Sequence, residues 1–160
     1  MALLRETFFL RSFGFLKIPL LFYLSPVVEE LTAKRCVIRI PLRWRSKNHL
    51  GSMYFGALAA GADCAGGFMA MRLIHDEEKK SGKTISLVFK DFKAEFIKRP
   101  ESDVYFVCDD GQAIRDLVDR TLQSLDRQYL NVHIQASVKD LEQPENLCAR
   151  FKLGLSLKRK

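Results

Sequence analysis

Period-two alternation dominates the second half of the chain. Leu130, Val132, Ile134, Ala136 and Val138 are separated by Asn131, His133, Gln135 and Ser137. Leu147, Ala149, Phe151, Leu153, Leu155 and Leu157 repeat the pattern. Alternation of this kind predicts two long antiparallel strands with one buried face, joined by a turn containing Pro144. Upstream, Ile85, Leu87 and Phe89 alternate in one phase, and Phe92, Ala94 and Phe96 in the other. A one-residue slip near Lys90-Asp91 is the signature of a β-bulge, which bends a strand. Cys36 to Leu42 and Val104 to Cys108 read as further strands, and Val27 to Leu31 as the strand before them.

The periodicity changes between Met53 and about Ile74. Apolar or small residues fill nearly every position, interrupted by Asp63. A helix apolar on all sides is a buried helix. Each glycine inside it costs ~0.5–1 kcal/mol relative to alanine, so close packing of other backbone is expected there. A membrane helix is the alternative, because the apolar length nearly suffices. Asp63 at its centre opposes that at ~2.5–3.5 kcal/mol. His75 to Lys83 reads as a charged loop. Asp109-Asp110-Gly111 signals a helix start, and Ile114, Leu117, Val118, Thr121, Leu122 and Leu125 follow helical spacing. The first 24 residues form a helical lead-in, with an amphipathic helix near 3–16. The apolar run Ile18 to Leu24, preceded by Arg5, Arg11 and Lys17, resembles a weak signal sequence, but it is short and bounded by Lys17 and Pro19. The expected organisation is a single α+β domain over 1–160, with one buried helix and a run of long strands.

Composition sharpens this. At 160 residues and 48% hydrophobic, the chain can build a core without disulfides. The net charge of +7 favours anionic partners: nucleic acid, a membrane surface, a phosphorylated cofactor or an acidic carrier. Cys36, Cys64, Cys108 and Cys148 show no Cys-x-x-Cys spacing, so no zinc or redox motif is indicated. A reducing cytoplasm is the expected compartment. Gly82-Lys83-Thr84 resembles the end of a phosphate loop, but position 77 is Glu where the motif needs Gly. No Gly-x-Ser-x-Gly elbow, histidine metal motif or nucleic-acid signature is present. No metal and no bound cofactor are expected.

One constellation survives. The segment Asn48-His49-Leu50-Gly51-Ser52-Met53-Tyr54-Phe55-Gly56, followed by Ala62-Asp63, resembles the central motif of hotdog-fold acyl-CoA thioesterases, in particular the phenylacetyl-CoA thioesterase type. Asn48, Gly51, Gly56, Ala62 and Asp63 fall in register with that motif, as do Ala65 and Gly66. The resemblance implies a hotdog fold: a long central helix wrapped by a curved antiparallel sheet, with an inserted helix near 112–125. It implies hydrolysis of acyl-CoA or acyl-carrier thioesters, coenzyme A entering as part of the substrate. It also implies a homodimer or homotetramer, with Asn48 and the helix start from one subunit and Asp63 from the other.

Thioester hydrolysis needs an activated water or a nucleophile, plus donors for the oxyanion. Asp63 suits a general base or nucleophile, a ligand-orienting group, or a purely structural hydrogen-bonding role. Phe55 and Gly56 offer free N–H groups at a helix start. Asn48 either orients water or holds the carbonyl, or is only a turn residue; Gly56 is either a donor or a packing position. Two departures stand out: Tyr54 replaces the family's His, and Phe55 its first Gly. Tyr54, and Thr84 or Ser86 on the next strand, are candidate substrate contacts. For the phosphates of coenzyme A the candidates are Lys34, Arg35, Arg39, Arg43, Arg45 and Lys47. Lys79, Lys80 and Lys83, and the terminal Lys152, Lys158, Arg159 and Lys160, are further candidates. A solvated basic face is the alternative. A non-catalytic hotdog module binding a fatty acyl or similar apolar ligand is the competing function. The hydratase-type hotdog is a weaker third, because its loop His and helical Glu are absent.

Overall fold

A computed structural model describes residues 3–138 and 143–160. Two helices lead in, α1 (Leu4–Lys17) and α2 (Pro19–Leu24), followed by β1 (Val27–Leu31) and β2 (Cys36–Ile40). The long helix α3 (Phe55–Ser81) precedes β3 (Ile85–Phe96) and β4 (Val104–Cys108). Helix α4 (Gly111–Gln123) is inserted before β5 (Gln128–Val138) and β6 (Leu147–Arg159). A short 3₁₀ turn, Pro144–Asn146, opens β6; the rest of the expected turn, at 139–142, lies outside the described residues.

The six strands form one antiparallel sheet in the order β1-β2-β4-β5-β6-β3. The alternating positions land as expected: Val132, Ile134, Ala136, Phe151, Leu153, Leu155 and Leu157 are all buried. The phase slip in β3 is a register shift between Phe89 and Asp91, which leaves Lys90 out of the ladder. Helix α3 packs across β2, β4 and β5, and α4 packs beside it against β5 and β6. A long central helix on a six-stranded antiparallel sheet is the hotdog arrangement. Helix α3 is long and apolar enough to cross a membrane, but 72% of its most apolar window is buried inside the fold. All four cysteines are free and buried, as core residues.

Several expectations are corrected. Residues 75–81 are not a loop; α3 continues to Ser81. Apolar periodicity ends where the helix leaves the core, but Arg72–Asp76 and Glu77–Lys80 pairs on its surface suit a helix. Gly82 stops it at φ 67°, its N–H donating to the Glu78 carbonyl. The start is Phe55 rather than Met53, because Met53 is bridged to Lys47 in extended backbone and Tyr54, at φ −64° and ψ 139°, is the extended N-cap. Gly61, Gly66 and Gly67 of α3 accommodate sheet side chains, not backbone: the Phe106 ring lies on Gly61, Ile134 and Val132 lie against Gly66, and Phe89 against Gly67. Helix α1 is not cleanly amphipathic. It buries Thr7, Leu10 and Gly14 and leaves Leu4, Phe8, Phe15 and Leu16 exposed. The signal-like run is α2, which buries Leu21 and Leu24.

Candidate functional site

The loop before α3 is a tight turn built on Asn48. Its Oδ1 accepts from the N–H groups of Leu50 (2.9 Å) and Ser52 (3.3 Å), and its Nδ2 donates to Ser52 Oγ at 3.0 Å. Gly51 supplies the left-handed step at φ 80°. Asn48 is thus the organising residue of the turn. A primary amide has two donor hydrogens, so Nδ2 retains one beyond its bond to Ser52.

The turn delivers the chain to Tyr54, an extended N-cap at φ −64°, ψ 139° that makes no side-chain capping bond. The Tyr54 carbonyl accepts from Ala57 (2.9 Å) and Leu58 (3.1 Å). Among the described residues nothing accepts from the N–H groups of Phe55 and Gly56. Two adjacent donors at the positive end of a 27-residue helix are therefore unfilled. The Tyr54 ring stands over Gly56, where a Cβ would meet its Cε1 at 2.5 Å. It also packs on Phe55, ring centroids 4.7 Å apart.

These residues open on a largely apolar pocket of about 470 Å³. Asn48, His49, Tyr54 and Phe55 line one side. Phe96, Lys98, Arg99 and Pro100 line the other. Those four were not legible as site residues. Phe96 ends β3 and the other three follow it in a loop without periodicity; the Met53–Pro100 bond and the packing of Phe55 on Phe96 bring them to the helix start. The available signal was Lys98-Arg99, a basic pair directly after a strand.

Asp63 lies eight residues beyond Phe55, ~12 Å along the helix axis. It does not line that pocket. It borders a smaller apolar cavity of about 70 Å³ formed by α1, α2, α3 and β3, with Phe13, Ile18, Leu21, Phe68 and Phe89. The carboxylate is half-buried, and no described residue donates to it. Gly67, one turn on, leaves it room: a Cβ there would stand 3.2 Å from Asp63 Oδ1. Desolvation by these walls pushes the Asp63 carboxyl up to about 6. An ionisable group near neutrality, unpartnered beside a cavity, is equipped to exchange a proton.

Within one protomer the structure brings together Asn48, Tyr54, Phe55 and Gly56, and sets Asp63 apart. Thr84 and Ser86 lie at the end of β3 opposite Phe96, ~30 Å away along the strand. Ser86 Oγ donates to the Lys158 carbonyl at 3.2 Å, and Thr84 is exposed. Of the candidate phosphate contacts, Arg39 is held by Glu29 (2.6 Å) and Asp103 (2.8 Å), and Arg35 by Glu30 and Asp109.

Residues 8–147 match the model of a protein family described as a domain of unknown function, DUF4442. No curated protein matches the chain. Solved structures resemble it at low sequence identity. A Chlorobaculum tepidum protein of unknown function superposes with TM-score 0.76 at 12% identity, covering 96% of this chain and 94% of that one. A Pseudomonas aeruginosa protein described as a probable thioesterase gives 0.67 at 18%, covering 100% and 99%. A mutant of a Staphylococcus aureus thioesterase gives 0.59 at 15%, covering 88% and 98%.

Proposed function

We propose that this chain, which belongs to the DUF4442 family, hydrolyses acyl-CoA or acyl-carrier thioesters as a homodimer. The observation that carries the proposal is the unfilled pair of N–H groups at Phe55 and Gly56, beside an apolar pocket large enough for an acyl group. Two of the structural neighbours are described as thioesterases, which supports the same reading.

In this reading the thioester carbonyl oxygen points at the start of α3, where the two N–H groups stabilise the oxyanion. Asp63 takes a proton from water as the hydroxide adds to the carbonyl carbon. The tetrahedral intermediate collapses, the C–S bond breaks, and the proton held on Asp63 passes to the leaving thiolate. Attack by Asp63 itself, through an acyl-enzyme anhydride, is the other route. Lys98 and Arg99, which line the pocket, are the cations proposed to meet phosphates of the carrier, exchanging for them their bonds to the Glu145 carbonyl (2.7 Å) and to Glu101 (3.0 Å). Asn48 completes the donor set with its remaining amide hydrogen.

Two features support the dimer in this reading. Asp63 and the donor pair belong to different cavities of one protomer. β3 is a twelve-residue edge strand with Val88, Phe89, Phe92 and Phe96 exposed, an edge that proteins cover. The proposed dimer pairs β3 with its copy and sets Asp63 of one subunit against the helix start of the other.

The test is thiol release across acyl-CoA chain lengths for the parent and Asp63→Asn. The parent turns over and sediments with the mass of two chains, and the Asn variant loses ~10²–10⁴-fold. Full turnover in the Asn variant removes Asp63 from the mechanism. No turnover in the parent with any chain favours the non-catalytic acyl-binding module.

A further inference from the structure

The tip of the α1–α2 hairpin is an unbroken run of six exposed residues, Phe15 to Leu20. Phe15, Leu16, Ile18 and Leu20 all show large apolar side chains, Leu16 at 73% exposure. Phe22 continues the surface, its ring edge-on to Phe15 at 5.2 Å. Tyr23 carries it to the loop after β2, where Trp44 is 74% exposed and stands edge-on to Tyr23 at 6.0 Å. Single exposed apolar residues are ordinary; a joined patch drawn from two separate segments is a contact site.

The segments that carry this patch hold charge of one sign, and the nearby Asp63 is half-buried in the cavity that Ile18 helps to line. Residues 7–28 and 31–62 contain no Asp or Glu. Lys17 sits in the tip, and Arg43 and Arg45 flank Trp44. None of the three has an ion-pair partner among the described residues. The Arg45 guanidinium lies over the Tyr23 ring at 4.9 Å and near the Trp44 ring at 5.7 Å. Aliphatic residues at a protruding tip, Trp and Tyr behind them, and unpaired cations beside those are matched to the depth profile of a lipid surface.

The geometry points to a docking site for an anionic phospholipid bilayer: Leu16, Ile18 and Leu20 enter the acyl boundary, Tyr23 and Trp44 sit at headgroup level, and Lys17, Arg43 and Arg45 meet lipid phosphates. A second copy of the chain is a poorer occupant, because a two-fold contact here sets the same cations against each other. A single-stranded nucleic acid matches the cations and rings but makes no use of the aliphatic tip.

Trp44 is the only tryptophan, so its emission reads the site directly. The full chain is mixed with vesicles of phosphatidylcholine alone or of phosphatidylcholine with phosphatidylserine, then sedimented. It should co-sediment with the anionic vesicles, with Trp44 emission moving to shorter wavelength, and release as salt rises. Leu16→Ser/Leu20→Ser, both exposed positions, should weaken partitioning by about tenfold or more while leaving the melting temperature unchanged. Arg43→Glu/Arg45→Glu should do the same on anionic vesicles. The proposal fails if the parent ignores both vesicle types or the Leu variant binds like the parent. It fails equally if the Leu variant splits an oligomer of the parent, or if the patch binds a single-stranded oligonucleotide and no vesicle.

Discussion

The ring of Phe106 fills the space that a side chain at Gly61 needs. A Cβ built on Gly61 stands 2.7 Å from Phe106 Cδ2, and closer still to Cε2 and Cζ. Phe106 has no exposed surface and lies in the core between the sheet and α3, so it has nowhere to retreat. Gly61→Ala therefore destabilises the fold by about 1–3 kcal/mol of overpacking, offset by at most ~1 kcal/mol of helix propensity. Gly66→Ala is the control. Its Cβ meets Ile134 Cδ1 and Val132 Cγ2 at 3.3 Å, ends of side chains that can give slightly. Thermal melts of both variants should separate, with Gly61→Ala lower by several degrees. Equal melting temperatures would mean that the Phe106–Gly61 contact does not hold α3 in place.

Asp63 makes stability depend on pH in the unusual direction for a carboxylate. Burial pushes it from 3.8 up to about 6, so the folded chain holds this proton more tightly than the unfolded chain. Its contribution is fully present below about pH 4, declines as pH rises toward 6, and is absent above. The size is roughly 1–3 kcal/mol, allowing for partial exposure. Asp63→Asn lacks this titration. Parent and variant should melt together near pH 4, and the variant should be the more stable at pH 7. The other carboxylates are common to both proteins and cancel in the difference. The rate of a general-base reaction runs the other way, rising through about pH 6 as Asp63 ionises. A melting difference that stays constant between pH 4 and 7 would show that Asp63 is solvated in the native state.

The sheet was legible because burial writes a period of two into β5 and β6, and a phase slip at Lys90 into β3. The central helix was legible because Met53 to Ile74 is apolar on every face. Its last two turns were not, because a helix that leaves the core loses its apolar signature while Arg72–Asp76 and Glu77–Lys80 suit its surface. Helix α2 was read as part of a helical lead-in and not as a helix of its own; six residues are too few to show a period. At the candidate site, Asn48, Tyr54, Phe55, Gly56 and Asp63 were singled out by the resemblance to the hotdog thioesterase motif. Phe96 to Pro100 were missed because their place beside the helix start depends on long-range contacts, Met53 N–H to the Pro100 carbonyl and Phe55 on Phe96. The division of Asp63 from the donor pair is a fact of three dimensions that residue spacing shows only as eight positions on one helix.

The donor pair can be tested one hydrogen at a time. Phe55 is the first helical residue, and its N–H has no acceptor among the described residues. Proline is favoured at that position, because the missing N–H is one the helix does not use. The residue before a proline must be extended, and Tyr54 already is, at φ −64° and ψ 139°. Phe55→Pro therefore deletes one candidate oxyanion donor while keeping the helix. It also removes the ring that packs on Tyr54 and, at 6.5 Å, on Phe96, so Phe55→Ala is the matched control: it loses the same ring and keeps the N–H. With thiol release as readout, kcat should fall ~10²–10³-fold in the proline variant. The alanine variant should keep most of its kcat and change mainly in KM, because the ring lines the pocket rather than the reacting carbonyl. Melting temperatures of the two variants should agree. An equal loss of kcat in both would assign the effect to the ring and remove Phe55 from the oxyanion site.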